Sequence, residues 1–267
     1  MGVINVSPES FYKGSVRITD RTIAFAAKEM EKHGAHFIDI GAMSTAPYLE
    51  TVVPVEKEIL RIKNAIKVAR KACDLAISAD TPRAKVAEEA VAGGADAIND
   101  VTGLKHDPRM AAVVGAAGIA VIAGAYSRSR STGRVSATLS ALKESISLGR
   151  RNGIRESDII IDPSIGFFRK DGKNPFFTKM TDKPWYSRDI EILSNLKKLA
   201  SFRKPVCVSV SRKSFIGHLL NLRRAENRLV PSLICEVIAV LNGADMIRTH
   251  SVKESVQALT MLQLLSR

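Results

Sequence analysis

Three stretches of the chain rhyme. "GAHFIDIGA" (34–42), "GGADAINDVTG" (93–103) and "GADMIRTH" (243–250) each leave a helix-like pattern through Gly-Ala, cross a few apolar residues and end in polar ones. A unit that recurs in this way is a helix handing over to a buried strand, because a small residue past the last turn is how helices commonly stop. Extending the unit along the chain places strands near 2–6, 37–42, 75–80, 97–101, 120–125, 159–162, 206–210 and 246–249. Between them lie amphipathic runs such as "VEKEILRIKNAIKVARKA" (55–72), with apolar residues three and four apart. Eight short strands, apolar on both faces and each followed by a helix, describe a parallel sheet covered by helices and closed into a TIM (β/α)8 barrel. A doubly wound open sheet is the alternative, but "NVSPESFYKGS" after the first strand is not its GxGxxG phosphate turn. The expectation is therefore one α/β domain over residues 1–267, a TIM barrel with an extended loop at about 167–187.

In such barrels chemistry sits on the loops at the C-terminal strand ends. Polar residues collect there: Asn5, Asp39, Asp80, Asn99 with Asp100, Asp162, Ser211 to Lys213, and Arg248 with His250. The fifth strand ends instead in Ala125 and Tyr126. Arg248 and His250 stand two apart and point the same way in extended backbone, a seat suited to phosphate or pyrophosphate. Asp80, Asn99 and Asp162 supply acceptors, and Lys213 a cation for a carbonyl or phosphate oxygen. A ring with NH, amino and carbonyl groups in sequence asks for that inventory. The residues alone support a barrel that binds an anionic, hydrogen-bond-rich heterocycle.

Charge agrees with an anionic partner. The net charge is +13 in 267 residues, which by itself leaves a phosphorylated metabolite, nucleic acid and anionic lipid open. No nucleic-acid module accompanies the basic-aromatic run at 167–186, so nucleic acid is not favoured. Cys73, Cys207 and Cys235 are odd in number and far apart, which argues against a disulfide framework or a structural zinc site. With no signal-peptide pattern and no apolar stretch of membrane-crossing length, the reading is a soluble cytoplasmic protein without a membrane partner.

Six segments in order, "MGVINVSPESF" (1–11), "DIGAMSTAP" (39–47), "SADTPRAKVAEEAVAGGADAINDVTG" (78–103), "IDPSIGF" (161–167), "SVSRKSFIG" (209–217) and "IRTH" (247–250), resemble the signature motifs of dihydropteroate synthase and span nearly the whole chain. The resemblance implies a pterin-binding TIM barrel that joins a hydroxymethyl-dihydropterin diphosphate to an arylamine and releases pyrophosphate, in folate or methanopterin biosynthesis. It implies a pterin grip of Asp80, Asn99, Asp162 and Lys213, with Phe167 nearby. Asn5, Arg248 and His250 are implied to face the diphosphate, Asn5 within reach of Mg²⁺. Thr45 and Ser214 are implied to meet the arylamine, and the protein to be a homodimer. On this division Asp162→Ala removes pterin binding, whereas Arg248→Ala spares it and weakens diphosphate binding.

The chain departs from that pattern on the diphosphate and arylamine side. Met43 and Ala46 stand where the family commonly has Glu and Arg, Ser164 and Phe168 where it has Gly, and Ser251 where Asp is common. Two segments could compensate. "YSRSRSTGR" (126–134) carries Arg128, Arg130 and Arg134, and the 167–187 loop contains the single tryptophan, Trp185. The pattern is similar to archaeal relatives tied to methanopterin synthesis, whose arylamine bears a ribofuranosyl phosphate; the three arginines are the expected seat of that phosphate. The rival expectations are a methyltransferase passing a methyl group from a tetrahydropterin to a corrinoid, and a non-catalytic pterin-binding protein.

Overall fold

The computed structural model describes residues 1–266. Six parallel strands follow one another around a continuous sheet: β1 (Gly2–Asn5), β2 (Phe37–Gly41), β3 (Ala76–Asp80), β4 (Ala97–Asp100), β5 (Ala120–Gly124) and β6 (Ile159–Asp162). Two shorter barrel strands complete the circle, β9 (Cys207–Val208) and β10 (Met246–Ile247), paired in parallel. Bridges Ile161–Val206 and Gly2–Thr249 tie this pair to β6 on one side and β1 on the other, so the sheet closes. The remaining two strands, β7 (Phe168–Arg169) and β8 (Thr178–Lys179), pair with each other inside the expected long loop. That loop ends sooner than expected, since Trp185 already opens a helix.

The helices are α1 (Asp20–Lys32), α2 (Val55–Ala72), α3 (Ala84–Ala92), α4 (Met110–Ala117), α5 (Val135–Arg151), α6 (Trp185–Ser194), α7 (Ser214–Leu219), α8 (Leu229–Leu241) and α9 (Val252–Leu265). Strict one-to-one alternation fails once: β9 is followed by both α7 and α8. Among the described residues no helix is long and apolar enough to cross a membrane.

The recurring Gly-Ala unit has a physical reading. Gly34, Gly94 and Gly243 adopt φ of +85°, +99° and +96°, the left-handed region that favours glycine. The next residue's N–H then reaches back to a carbonyl of the last turn: Ala35 to Met30, Ala95 to Ala90 and Ala244 to Ala239, at 2.9, 3.0 and 2.9 Å. In two units the following aspartate accepts from the neighbouring strand. Asp96 receives the Ile77 N–H at 2.7 Å and Asp245 the Val206 N–H at 2.8 Å. The motif thus stops a helix and stitches the base of the barrel together.

Packing follows the apolar pattern. Ile62, Ala65, Ile66 and Ala69 form the buried stripe of α2, against the fully buried Ile38, Ile40 and Ile77 of the sheet. Each such isoleucine contributes roughly 1.5–3 kcal/mol on burial. The strand register sets the upper rim. Asn5 pairs with Gly41, Gly41 with Asp80 and Asp80 with Asn99, so four strand tips stand at one level.

Candidate active site

Those tips frame a solvent-open cleft of about 880 Å³. Asn5, Asp80, Asn99, Asp162, Lys213, Arg248 and His250 all line this one cleft, together with Thr45, Phe167 and Ser214. Residues almost 250 positions apart meet because each follows, or ends, a barrel strand.

Beneath the rim lies a charged cluster that the sequence reading did not assemble. Arg248 Nε donates to Asp39 Oδ2 at 2.5 Å and its Nη2 to Asp80 Oδ2 at 2.7 Å. Asn99 Nδ2 donates to the same Asp39 oxygen at 3.0 Å. Asp39 pairs with Ser78, two residues below the Gly41–Asp80 pair, so its side chain sits one layer deeper and is fully buried. It was legible as a polar residue near a strand tip; its depth was not. Burial pushes the Asp80 carboxyl up to about 7, against the pull of Arg248. Burial works against the charge on Arg248 too, but the Asp39 and Asp80 carboxylates outweigh it and raise its pKa.

On the opposite wall, Asp162 Oδ1 accepts the Ser164 N–H at 2.6 Å, which aims the other oxygen at the cleft. Burial raises its pKa against that hydrogen bond and the nearby Lys213 and Arg248. Because Asn99 gives its amide hydrogen to Asp39, its Oδ1 remains an acceptor. Lys213 Nζ sits 4.5 Å from the centroid of the Phe167 ring, and among the described residues it has no hydrogen-bond acceptor. Desolvation lowers its pKa to about 8, with Asp162 opposing. Two acceptors and a lysine beside an aromatic face can hold a flat ring carrying N–H and carbonyl groups.

The third wall is organised for oxygen donors and anions. Ser15 gives its hydroxyl proton to the Tyr12 carbonyl at 2.9 Å, so it must accept from Asn5 Nδ2 at 2.7 Å. That fixes the Asn5 amide with Oδ1 toward the cleft. A Cβ on Gly41 would lie 3.1 Å from that oxygen and 3.7 Å from Asp80 Oδ2, so glycine keeps the space open. No group of three His, Cys, Asp or Glu side chains among the described residues could hold a metal on its own. A single amide oxygen does fit Mg²⁺, which takes few protein ligands and the rest from phosphate and water.

His250 lines the cleft beside Arg248 as expected, but not as a cation. Its ring is packed edge-on against Phe11 and Tyr12 at 5.6 and 5.3 Å. Burial, then the charges of Arg248, Lys213 and Arg212, hold its pKa well below the ordinary value, so it is neutral at pH 7. The loop arginines also need correction. Arg128, Arg130 and Arg134 are exposed and none lines the cleft. Arg128 is turned to the His106 carbonyl at 3.2 Å, and Arg134 precedes the first turn of α5. The strand they follow is the one whose tip, Ala125 and Tyr126, contributes nothing polar to the cleft. Thr45 and Ser214 do line it, and Tyr48 and Met43 join them.

A closed parallel barrel with this rim is a pterin-binding architecture, and residues 1–250 match the pterin binding enzyme family. Dihydropteroate synthase from Clostridium beijerinckii is 34% identical over 270 residues, covering 100% of this chain and 94% of that protein. The structure of a dihydropteroate synthase from Coxiella burnetii in complex with pteroic acid superposes with a TM-score of 0.85 at 33% identity, covering 99% of this chain and 92% of the other. Xanthomonas albilineans dihydropteroate synthase with 4-aminobenzoic acid gives 0.84 at 30% identity, covering 100% and 92%. The chain belongs to the dihydropteroate synthase family of pterin-binding enzymes. It is a dihydropteroate synthase-like transferase.

Proposed function

We propose that the protein condenses a 6-hydroxymethyl-7,8-dihydropterin diphosphate with p-aminobenzoate and releases pyrophosphate, as a step of folate synthesis. The observation that carries this is the convergence of Asp162, Asn99 and Lys213 on the same cleft that Asn5 and Arg248 line. Asp162 Oδ2 and Asn99 Oδ1 accept from the pterin's ring and amino N–H groups, and Lys213 donates to its carbonyl. Held so, the ring presents its methylene carbon to the rest of the cleft. Its bond to the diphosphate oxygen breaks with the electron pair leaving on oxygen, and a new bond forms from the aryl nitrogen. The positive charge of Lys213, and the Arg248 Nη1 that neither aspartate engages, favour the departing charge. The bonded aryl ammonium then gives its proton to water, so a neutral His250 is no obstacle. Asn5 Oδ1 would hold Mg²⁺, which when bound neutralises charge on the phosphates.

The smaller arylamine is favoured because Arg128, Arg130 and Arg134, the expected seat of a ribofuranosyl phosphate, stand outside the cleft. Placement in the archaeal, methanopterin-linked branch loses its structural support with them. The test is to supply the pterin diphosphate, Mg²⁺ and both arylamines together, follow pyrophosphate, and read products by mass spectrometry. Dihydropteroate as the dominant product is expected; exclusive use of the phosphorylated amine refutes the choice of amine. Absence of pyrophosphate with either refutes the reaction, and a methyltransferase or a passive pterin binder would give that result.

A homodimer fits the surface. Val230, Ile234, Ile238 and Leu241 form an exposed apolar stripe along α8, and Leu219 and Leu220 at the end of α7 are exposed as well. Sedimentation of a Val230→Asp, Ile234→Asp variant should show monomer where the unmodified chain shows dimer.

A further inference from the structure

The segment between β6 and α6 reaches over the barrel mouth to the loop after β2. The Lys173 N–H donates to the Pro47 carbonyl at 2.7 Å and Asn174 Nδ2 to the Ala46 carbonyl at 2.7 Å. Arg169 lies inside this clasp. It is 7% exposed. Its guanidinium carbon lies 3.5 Å from the centroid of the Trp185 ring and 5.9 Å from that of the Tyr48 ring. Nη2 donates to Ser214 Oγ at 2.6 Å and Nε to the Gly166 carbonyl at 3.2 Å.

Among the described residues, no carboxylate stands within ion-pairing distance of this guanidinium. The acid whose charge acts on it is Asp189, already engaged by Arg188 at 3.3 Å and by the Gly166 N–H at 2.9 Å. Burial depresses the pKa of Arg169, yet an arginine stays charged at neutral pH. A desolvated cation without a counter-ion is costly, and such sites are where ligands supply the missing charge. Ser214 connects the cation to the cleft. Its oxygen accepts from Arg169, which leaves its own proton to donate inward, and it lines the cleft opposite Tyr48. The loop that Arg169 meets is also the one that carries Ala46 where arginine was expected.

We propose that Arg169 is a specificity-determining residue for the second substrate: acting through Ser214, it supplies the positive charge that selects an arylamine bearing a carboxylate. This rests on the arylamine-transfer reading above and names the chemistry by which that site tells its substrates apart.

The experiment compares p-aminobenzoate with its uncharged amide, p-aminobenzamide, in the wild type, Arg169→Met and Arg169→Lys, at saturating pterin diphosphate and Mg²⁺. In Arg169→Met the KM for p-aminobenzoate should rise about tenfold or more, the scale of one charge-assisted hydrogen bond. The KM for the amide and both kcat values should hold, and Arg169→Lys should recover most of the preference. Equal KM shifts for both amines would assign Arg169 to loop packing alone and overturn the proposal, as would an unchanged acid-to-amide ratio. A wild type that releases no pyrophosphate with either amine sinks the transfer reading itself, and this inference with it.

Discussion

Replacing Arg248 with methionine strips the counter-charge from two carboxylates at once. Asp39 is fully buried and Asp80, its side chain 16% exposed, mostly so, and Arg248 donates to both at 2.5 and 2.7 Å. Removing one member of a buried ion pair costs roughly 3–5 kcal/mol, because the partner stays desolvated and unpaired. Against a total stability of about 5–15 kcal/mol this is a large fraction. At about 2–4 °C per kcal/mol for a chain of this size, the melting temperature should fall by about 10 °C. Calorimetric unfolding reads it directly. Asp39→Asn placed in the Arg248→Met background should recover part of the loss, since it removes the orphaned charge and keeps an oxygen for Asn99. The same geometry corrects the division of labour expected from the motifs, in which Arg248 served only the diphosphate. Asp39 also anchors Asn99, so Arg248→Met should weaken binding of a phosphate-free pterin by about tenfold in titration calorimetry, the worth of one disturbed hydrogen bond. Melting within 2 °C of wild type, or a double variant no more stable than the single, would refute the account of this cluster.

Other outcomes follow from neighbouring groups. Asp162→Asn exchanges an acceptor for a donor opposite the ring N–H groups, and should lower pterin affinity by about a hundredfold; unchanged affinity by calorimetry discards the grip. Burial holds Lys213 at about 8, so its charge is lost as pH rises through that value. The kcat/KM for pterin diphosphate should therefore fall above pH 8 in the wild type, and a Lys213→Arg variant should lack this limb. The linked stability has the opposite sign. A lysine depressed from about 10.4 unfolded to about 8 folded penalises the native state at neutral pH, and that penalty is relieved as pH climbs between the two values. Urea melts of wild type and Lys213→Met should differ most at pH 7 and converge by pH 11. Asn5→Ala removes the oriented amide oxygen and should raise the Mg²⁺ concentration needed for half-maximal pyrophosphate release several-fold; an unshifted Mg²⁺ titration would assign Asn5 to holding Ser15 only. Ser164 sits at φ +53° with its hydroxyl buried and unpartnered among the described residues. Ser164→Gly should raise stability by about 1 kcal/mol, measured by urea unfolding.

The barrel was legible because its signals are local. A positive-φ glycine precedes β2, β4, β5 and β6 (Gly34, Gly94, Gly118 and Gly153), and a run of apolar residues announces each strand, so six strand positions agree with the structure to within a residue or so. The strands at 206–210 and 246–249 keep only two ladder residues each. There the closing contacts are single bridges, and an apolar run looks the same whether or not its neighbour pairs throughout. The cleft was legible for a related reason: any polar residue at a strand's C-terminal end arrives at the same rim. What could not be read was which polar group satisfies which. Asp39 and Asp80 are both aspartates near strand tips, but a two-residue difference in register makes one a buried anchor for Arg248 and Asn99 and the other a rim group. His250 read as part of a phosphate seat beside Arg248, but burial and then the charges of Arg248, Lys213 and Arg212 hold its pKa well below the ordinary value. The loops after β5 and β6 misled and informed in equal measure. Length and basic residues drew attention to Arg128, Arg130 and Arg134 after β5, whereas the buried cation came from the loop after β6, where nothing in "FFRKDGK" separates Arg169 from Lys170. Only the clasp on Ala46 and Pro47, and the Trp185 ring under the guanidinium, make that distinction. Both are contacts between segments distant in the chain, which is why the charge a substrate must carry is the last property of this site to become readable.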